Sequence, residues 1–211
     1  MRILSISFTV LLLFSCKKEE NTNNNSSNFT LPSAVGSYWV YECNNRDTDG
    51  NITPMGITDT VRIIGDTVIG GENFVSYEGT IYGAPKSKWF LRDSSGYIID
   101  QNGNIKYSTV NFTDTLESYV EGIDFKIDWF MSSNTNTIVN VPAGNFSTLD
   151  YQGHCRKLNG QNFSGCGTQT YVVHNYFSPN IGLIKGSTIF FGQLETTCND
   201  IERVLKEYHI E

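Results

Sequence analysis

The stretch KSKWFLRDSSGYIIDQNGNIKYSTV, residues 86–110, decides the fold class. Ser87, Trp89 and Leu91 fall on one side of an extended chain, and Lys86, Lys88 and Arg92 on the other. That period of two is the signature of a half-buried strand. Ser94-Ser95-Gly96 then reads as a turn into Tyr97–Asp100. Asn102-Gly103 reads as a hairpin turn before Ile105–Val110, since Asn-Gly tolerates the left-handed dihedrals of a two-residue loop.

Outward from this stretch the same grammar repeats. Gly36–Cys43 is a first strand; Thr58–Ile64 and Thr67–Ile69 look like two arms about a Gly65-Asp66 turn; Gly70-Gly71 turns the chain into Asn73–Ile81. Phe125, Ile127, Trp129 and Met131 alternate with Lys126 and Asp128. Thr137–Val141, Phe146–Tyr151, Thr170–Phe177, Leu183–Phe191 and Val204–Ile210 complete the strands, and only Thr113–Gly122 reads as a short helix. The expected fold is all-β: one antiparallel curved sheet, an incomplete barrel or sandwich, with at most one or two short helices, formed by residues 31–211 as a single domain.

The N-terminus reads differently. After Met1 and Arg2, the apolar run Ile3–Phe14 is too short for a bilayer, which needs roughly 20 residues, and has the length of a signal-peptide core. Leu13-Phe14-Ser15-Cys16 resembles the lipobox of bacterial lipoproteins. The resemblance implies removal of residues 1–15 and acylation of Cys16, whose two or three chains would anchor the protein stably in a lipid bilayer. Lys17, Lys18, Glu19 and Glu20 resemble the surface-export signal of some Gram-negative lipoproteins, and Lys17 stands where the inner-membrane retention signal has Asp. The expected location is the outer membrane, facing the cell exterior. Residues 16–30 read as a tether, because Asn21–Asn28 contains no apolar residue with which to bury a core.

Charge narrows the partners. The formal net charge is −7, and one unit more negative once Arg2 is removed. An acidic chain with scattered charges and no basic cluster argues against nucleic acid.

The order of short motifs in the domain carries a second resemblance. Gly36-Ser-Tyr-Trp-Val-Tyr41, Val141-Pro-Ala-Gly-Asn-Phe146, Tyr176-Phe-Ser-Pro-Asn-Ile-Gly-Leu-Ile-Lys185 and a last strand with Leu205 and Tyr208 follow one another. This order is similar to that of uncharacterised Gram-negative lipoproteins and a domain-of-unknown-function group. Those have been compared with the curved half-barrel of lipoprotein carriers such as LolA and LolB. The resemblance implies a curved sheet and brings no catalytic residue with it. Pro-Ala-Gly and Ser-Pro-Asn-Ile-Gly are also turns in their own right.

Outside the cytoplasm, Cys43, Cys155, Cys166 and Cys198 read as disulfide cysteines with three possible connectivities. Cys155 and Cys166 flank a Gly- and Asn-rich loop, so they are expected to pair, leaving Cys43 with Cys198. A metal set of His154, Cys155, Cys166 and His174 lacks the paired spacing of structural zinc sites, so no metal and no cofactor is expected. Asp47-Thr-Asp49-Gly-Asn51 begins like a calcium loop and fails at Ile52 and Thr58. Glu117, Glu121, Asp124 and Asp128 could include a glycosidase pair only if two converge across a cleft. Trp39, Trp89 and Trp129 could line a sugar or lipid site or simply fill an aromatic core. His154, His174 and His209 share no motif with a Ser or Asp, and neither a G-x-S-x-G elbow nor a phosphate-binding Gly loop occurs. Asp59-Thr60-Val61, Asp66-Thr67-Val68 and Asp114-Thr115-Leu116 resemble a bacterial O-glycosylation acceptor, marking Thr60, Thr67 and Thr115.

Three functions are compatible with this reading. The first is a non-enzymatic lipoprotein whose sheet binds an apolar or glycan ligand or an envelope protein. The second is a structural or assembly component of the outer envelope, and the third a hydrolase with an unrecognised site. Whether the concave side of the sheet is filled or hollow separates the first two. The anchor is tested by Cys16→Ala: the variant is expected to leave the membrane fraction on cell fractionation, and retention at the wild-type level places the anchor elsewhere.

Overall fold

A computed structural model describes residues 30–121, 124–166, 170–189 and 197–211. The expected signal peptide, Cys16 and the expected export signal Lys17–Glu20 lie outside the described residues. The described chain forms thirteen strands and one 3₁₀ turn, Ser164–Cys166. The strands are β1 (Tyr38–Arg46), β2 (Ile52–Ile69), β3 (Glu72–Gly79), β4 (Ser87–Ser94), β5 (Tyr97–Asp100) and β6 (Ile105–Ser108) in the first half. The second half holds β7 (Glu117–Glu121), β8 (Phe125–Met131), β9 (Thr137–Val141), β10 (Gly144–Lys157), β11 (Tyr171–Ser178), β12 (Gly182–Ile189) and β13 (Asp200–His209). All pairs are antiparallel, in the order β6-β5-β4-β3-β2-β1-β13-β12-β11-β10-β8-β7, with β9 beside β10. The result is a nearly closed barrel of one curved sheet, so the all-β expectation holds.

The sheet is two runs of hairpins joined at their ends. Gly70-Gly71 and Ser95-Gly96 are two-residue loops with both residues at positive φ, 62° and 89° in the first and 56° and 86° in the second. That geometry matches the twist of the flanking strands. At Asn102-Gly103 the Asp100 carboxylate accepts the amides of Asn102 and Asn104 at 2.9 and 3.0 Å, fixing the loop from inside. The first and last strands then pair with each other, Tyr38 opposite His209 through Arg46 opposite Asp200, which brings the two runs edge to edge.

Three expectations are corrected. Gly65-Asp66 is no turn: β2 runs unbroken through it, with Ile63 opposite Tyr77 and Gly65 opposite Ser76. Ile64 is therefore an extra residue, and Gly65, at φ 148°, absorbs it as a bulge. The described part of Thr113–Gly122 is not helical. Glu117–Glu121 adds to β8 as an edge strand, with Glu117 opposite Trp129, because the β8 ladder offers more hydrogen bonds than one isolated turn of helix.

The disulfide pairing is the third. Cys166 is bonded to Cys198, with Cα atoms 4.9 Å apart, and Cys43 and Cys155 are buried free thiols. Cys155 sits within β10, two residues before its end, walled by Ile127, Phe163, Tyr171 and Val173. Cys43 lies opposite Arg203, five residues along from Cys198, a separation of about 17 Å in an extended chain and beyond disulfide reach. The Cys166–Cys198 bridge closes a loop of 32 residues, which should contribute about 3–4 kcal/mol by restricting the unfolded chain. Peptide mapping without reduction is expected to recover Cys166 linked to Cys198, with Cys43 and Cys155 alkylated only after denaturation. A Cys155–Cys166 peptide would overturn the pairing.

Candidate functional site

Alternate residues of the strands point into the barrel, and the register brings their aromatic rings together. Trp39 stands opposite Val61, Tyr41 opposite Asp59, and Tyr77 opposite Trp89. Trp39 lies 6.1 Å from Tyr77, centroid to centroid, and Tyr77 stacks on Trp89 at 6.0 Å with an 8° tilt. These rings do not fill the interior. They wall a cavity of about 440 Å³, completed by Leu91, Tyr107, Phe177 and Leu183, with Leu31 and Pro32 at one side. That volume falls in the usual range of small-molecule sites, about 300–1,000 Å³.

The cavity wall is apolar because its polar tips are engaged elsewhere. The Trp39 indole donates to the Ile181 carbonyl at 2.7 Å, the Tyr41 hydroxyl to the Leu183 carbonyl at 2.9 Å, and the Tyr77 hydroxyl to the Pro32 carbonyl at 2.7 Å. Each bond satisfies a buried donor and leaves the ring itself as wall. Two further groups reach the cavity, the Arg203 guanidinium and the Lys106–Asp100 pair, the latter at 3.0 Å.

Arg203 is part of the wall's support. Its guanidinium lies 4.1 Å over the Tyr41 ring and pairs with Asp59 at 3.1 Å, and Asp59 and Arg203 are 0% and 4% exposed. Asp59 also accepts the amides of Tyr82 and Gly83 at 2.6 and 3.0 Å. Burial pushes its carboxyl up, but the Gly83 amide and the Arg203 charge outweigh that and hold it below the ordinary range. The Cys43 thiol donates to the same carboxylate at 3.5 Å, and burial pushes that thiol up to about 12.

The other candidates fall apart from one another. Asp128 accepts from Ser118 at 2.7 Å and pairs with Lys126 at 2.9 Å and with Arg156. Burial works against its charge, yet the Lys126, Ser118 and Arg156 bonds hold its carboxyl at about 2. Glu117 stands opposite Trp129 and Asp128 opposite Ser118, so the two lie on opposite faces of the sheet, and Asp124 is exposed. His174 pairs with Asp150 at 3.0 Å and stacks on Tyr176, His154 packs edge-on against Phe130, and His209 pairs with Glu211. Cys166 is taken by the disulfide and Cys155 faces an apolar cluster, so the cysteines and histidines weighed as a metal set do not converge. In Asp47–Asn51 the Asp47 carboxylate accepts the amides of Asp49 and Asn51 at 3.0 and 2.8 Å, as a polar hairpin loop does. Thr60 and Thr67 lie half-buried within β2, while Thr115 is exposed in the segment before β7.

Sequence reasoning passed over one polar group. Glu202, 1% exposed, receives Lys185 at 2.6 Å and Arg46 at 3.4 Å on the outer side of β13. Two residues away on the same side, burial and the Glu202 charge push the Asp200 carboxyl up to about 6. Asp and Glu two apart in a strand read as solvent-facing, and only the ladder shows them covered.

No protein-family model and no curated protein matches this chain. Among solved structures it is similar to a Bacteroides fragilis protein described as exported, with a YmcC-like fold, at 16% identity and a TM-score of 0.50, over 86% of this chain and 99% of that one. A Parabacteroides distasonis protein described as a lipoprotein aligns at 14% identity and a TM-score of 0.44, over 86% and 98%. At such identity the first likeness concerns architecture alone. It is a likeness to a YmcC-like fold, and the comparison with LolA and LolB stays at the level of motif order.

The Asp59–Arg203 pair makes the cavity wall sensitive to mutation and acid. Removing one partner strands a buried charge, so Arg203→Met is expected to cost about 3–5 kcal/mol in urea denaturation. A carboxyl held below its unfolded value of about 3.9 contributes stability that is complete above that pH and is lost as pH falls through the folded value. Melting temperature should therefore fall below about pH 4, and less steeply in Asp59→Asn.

Proposed function

We propose that this chain is an outer-membrane lipoprotein, anchored through Cys16, whose barrel interior binds an apolar ligand without chemically changing it. The observation that carries the reading is the cavity: aromatic walls whose donors are already bonded to backbone carbonyls, surrounding about 440 Å³ of space. A protein that needed these rings only for packing would close on them, since interiors pack to crystal-like density. The anchored, outward-facing location follows from the lipobox-like Leu13–Cys16 and from Lys17–Glu20. The exported Bacteroides protein of similar architecture is in keeping with it.

A non-catalytic role is supported by how the reactive groups are held. Burial pushes the Cys43 and Cys155 thiols up to about 12, far from the thiolate needed for attack. Asp128, held at about 2, has no proton to give as a general acid. The Ser187 hydroxyl near His174 accepts from the His174 backbone amide at 2.9 Å.

The experiment is a titration of the full-length Cys16→Ala protein with an environment-sensitive naphthylamine dye. Blue-shifted, enhanced emission that dodecanol displaces is expected. Leu91→Trp, which fills the cavity, should weaken dye binding by about tenfold or more. Absence of enhancement, with identical behaviour of both proteins, would sink the reading and put the structural-component role ahead.

A further inference from the structure

The apolar cavity adjoins a second chamber at the seam between β6 and β7, the two ends of the ladder path. From its lining we infer that the natural ligand is an amphiphile with an uncharged, hydroxyl-rich head, of the glycosyl class. This inference rests on the apolar-binding reading above and specifies what that ligand carries at its polar end.

The two chambers adjoin, since Lys106, Phe177 and Leu183 line both. The second chamber holds about 770 Å³. Its character differs from that of the first. Trp129 stacks on Tyr151 with centroids 4.8 Å apart, and its indole donates to the Tyr119 hydroxyl at 3.4 Å. Trp129 also covers Gly153, where a Cβ would stand 2.8 Å from the ring, so the platform is braced from behind. Beside this platform stand Asn104, Asn175 and Glu117. Aromatic rings next to amides and a carboxylate suit a sugar: its C–H face packs on the rings, and its hydroxyls both donate and accept.

Charge decides against the other common heads. Lys106, the one cation among the residues lining the chamber, is already shared between Asp100 at 3.0 Å and the nearby Glu117 carboxylate. A carboxylate or phosphate head would meet a like charge with no free cation or arginine fork to receive it. Burial pushes the Glu117 carboxyl up, an environment that favours hydrogen bonding to neutral hydroxyls.

The architecture gives the tail and the head separate places. The seam is unpaired in the ladder order and bridged by side chains: the Tyr151 hydroxyl reaches the Ile105 carbonyl at 3.2 Å and the Ser108 amide reaches the Met131 sulfur at 3.3 Å. A head group seated there faces outward while its chain lies among Trp39, Tyr77 and Trp89.

The test uses the full-length Cys16→Ala protein and calorimetric titration with dodecanol, dodecyl glucoside below its micelle concentration, dodecanoate and glucose. Dodecyl glucoside is expected to bind about tenfold or more tightly than dodecanol, and dodecanoate more weakly than either. Trp129→Ala and, as a milder change on the edge strand, Glu117→Leu should erase the glucoside advantage while dodecanol affinity stays within about twofold. Equal affinity for glucoside and dodecanol would overturn the head-group inference and leave the apolar reading standing. Tighter binding of dodecanoate would overturn it in favour of an anionic head. Failure of all the chain-bearing probes would overturn the apolar reading as well.

Discussion

The ladder between the first strand and the last is the interaction on which the rest depends. Without it the chain is two separate meanders, β1–β6 and β7–β13, each with an exposed edge and an aromatic face. With it, nine residues of β1 are paired on both sides and twelve strands become one path. The Asp59–Arg203 pair sits at this joint and explains why the joint tolerates buried charge. Asp59 comes from β2, Arg203 from β13, and the Tyr82 and Gly83 amides from the loop after β3. A neutral pair of similar shape would pack as well or better, because desolvating two charges is costly. What the charges add is selectivity of register: a slip of β13 by one residue would turn Arg203 to the other face and leave Asp59 unpaired. Three elements far apart in sequence are thereby fixed to one arrangement.

That division between local and distant determines how much was legible beforehand. Turns that need special dihedrals were readable, because Gly70-Gly71, Ser95-Gly96 and the Gly103 of Asn102-Gly103 mark the positive-φ positions by composition. The alternation in Lys86–Arg92 was readable for the same kind of reason, since it depends on one strand alone. The failures all concern partners. Gly65 carries the same signal whether it turns the chain or absorbs a bulge, and only the continuing β3 ladder separates the two outcomes. Glu117–Glu121 has no strong preference of its own and takes the geometry that β8 imposes. Cys155 and Cys166 are close in sequence, yet the burial of one in an apolar cluster and the approach of Cys198 to the other settle the bond. The candidate site was half legible: Trp39, Trp89 and Trp129 stood out, but spacing along a strand is identical for a ring that packs and a ring that faces empty space.

The cavity follows from barrel size and closure together. A sheet this wide encloses more volume than its inward side chains occupy, and a fully zipped barrel would seal that volume off. Here β6 meets the opposite run through side chains of β8 and β10 instead of a ladder. The free edges at the two ends of the path, β6 and β7, are short strands, which limits the hazard of edge pairing. A continuous ladder would be more stable, but its backbone bonds would have to break to admit a ligand. Side-chain bridges across a seam can part at much lower cost, since each is one hydrogen bond of about 1 kcal/mol net.

The position of the first described residues bears on how such a site would be used. Leu31 packs against the cavity wall, and the Pro32 carbonyl accepts the Tyr77 hydroxyl from within it. The chain therefore leaves the domain beside the cavity and not from the far side of the barrel. With acylation at Cys16, as proposed, the intervening residues could span at most about 50 Å when fully extended. The domain can then rest against the bilayer or stand clear of it, and the cavity remains within reach of the membrane either way. An acyl chain moving from lipid to protein would pass through water over a distance set by the tether, and the cost of exposing each methylene, about 0.8 kcal/mol, rewards a short path. With the proposed anchor, a chain attached beside the cavity would keep that path short, which attachment at the opposite pole of the barrel would not.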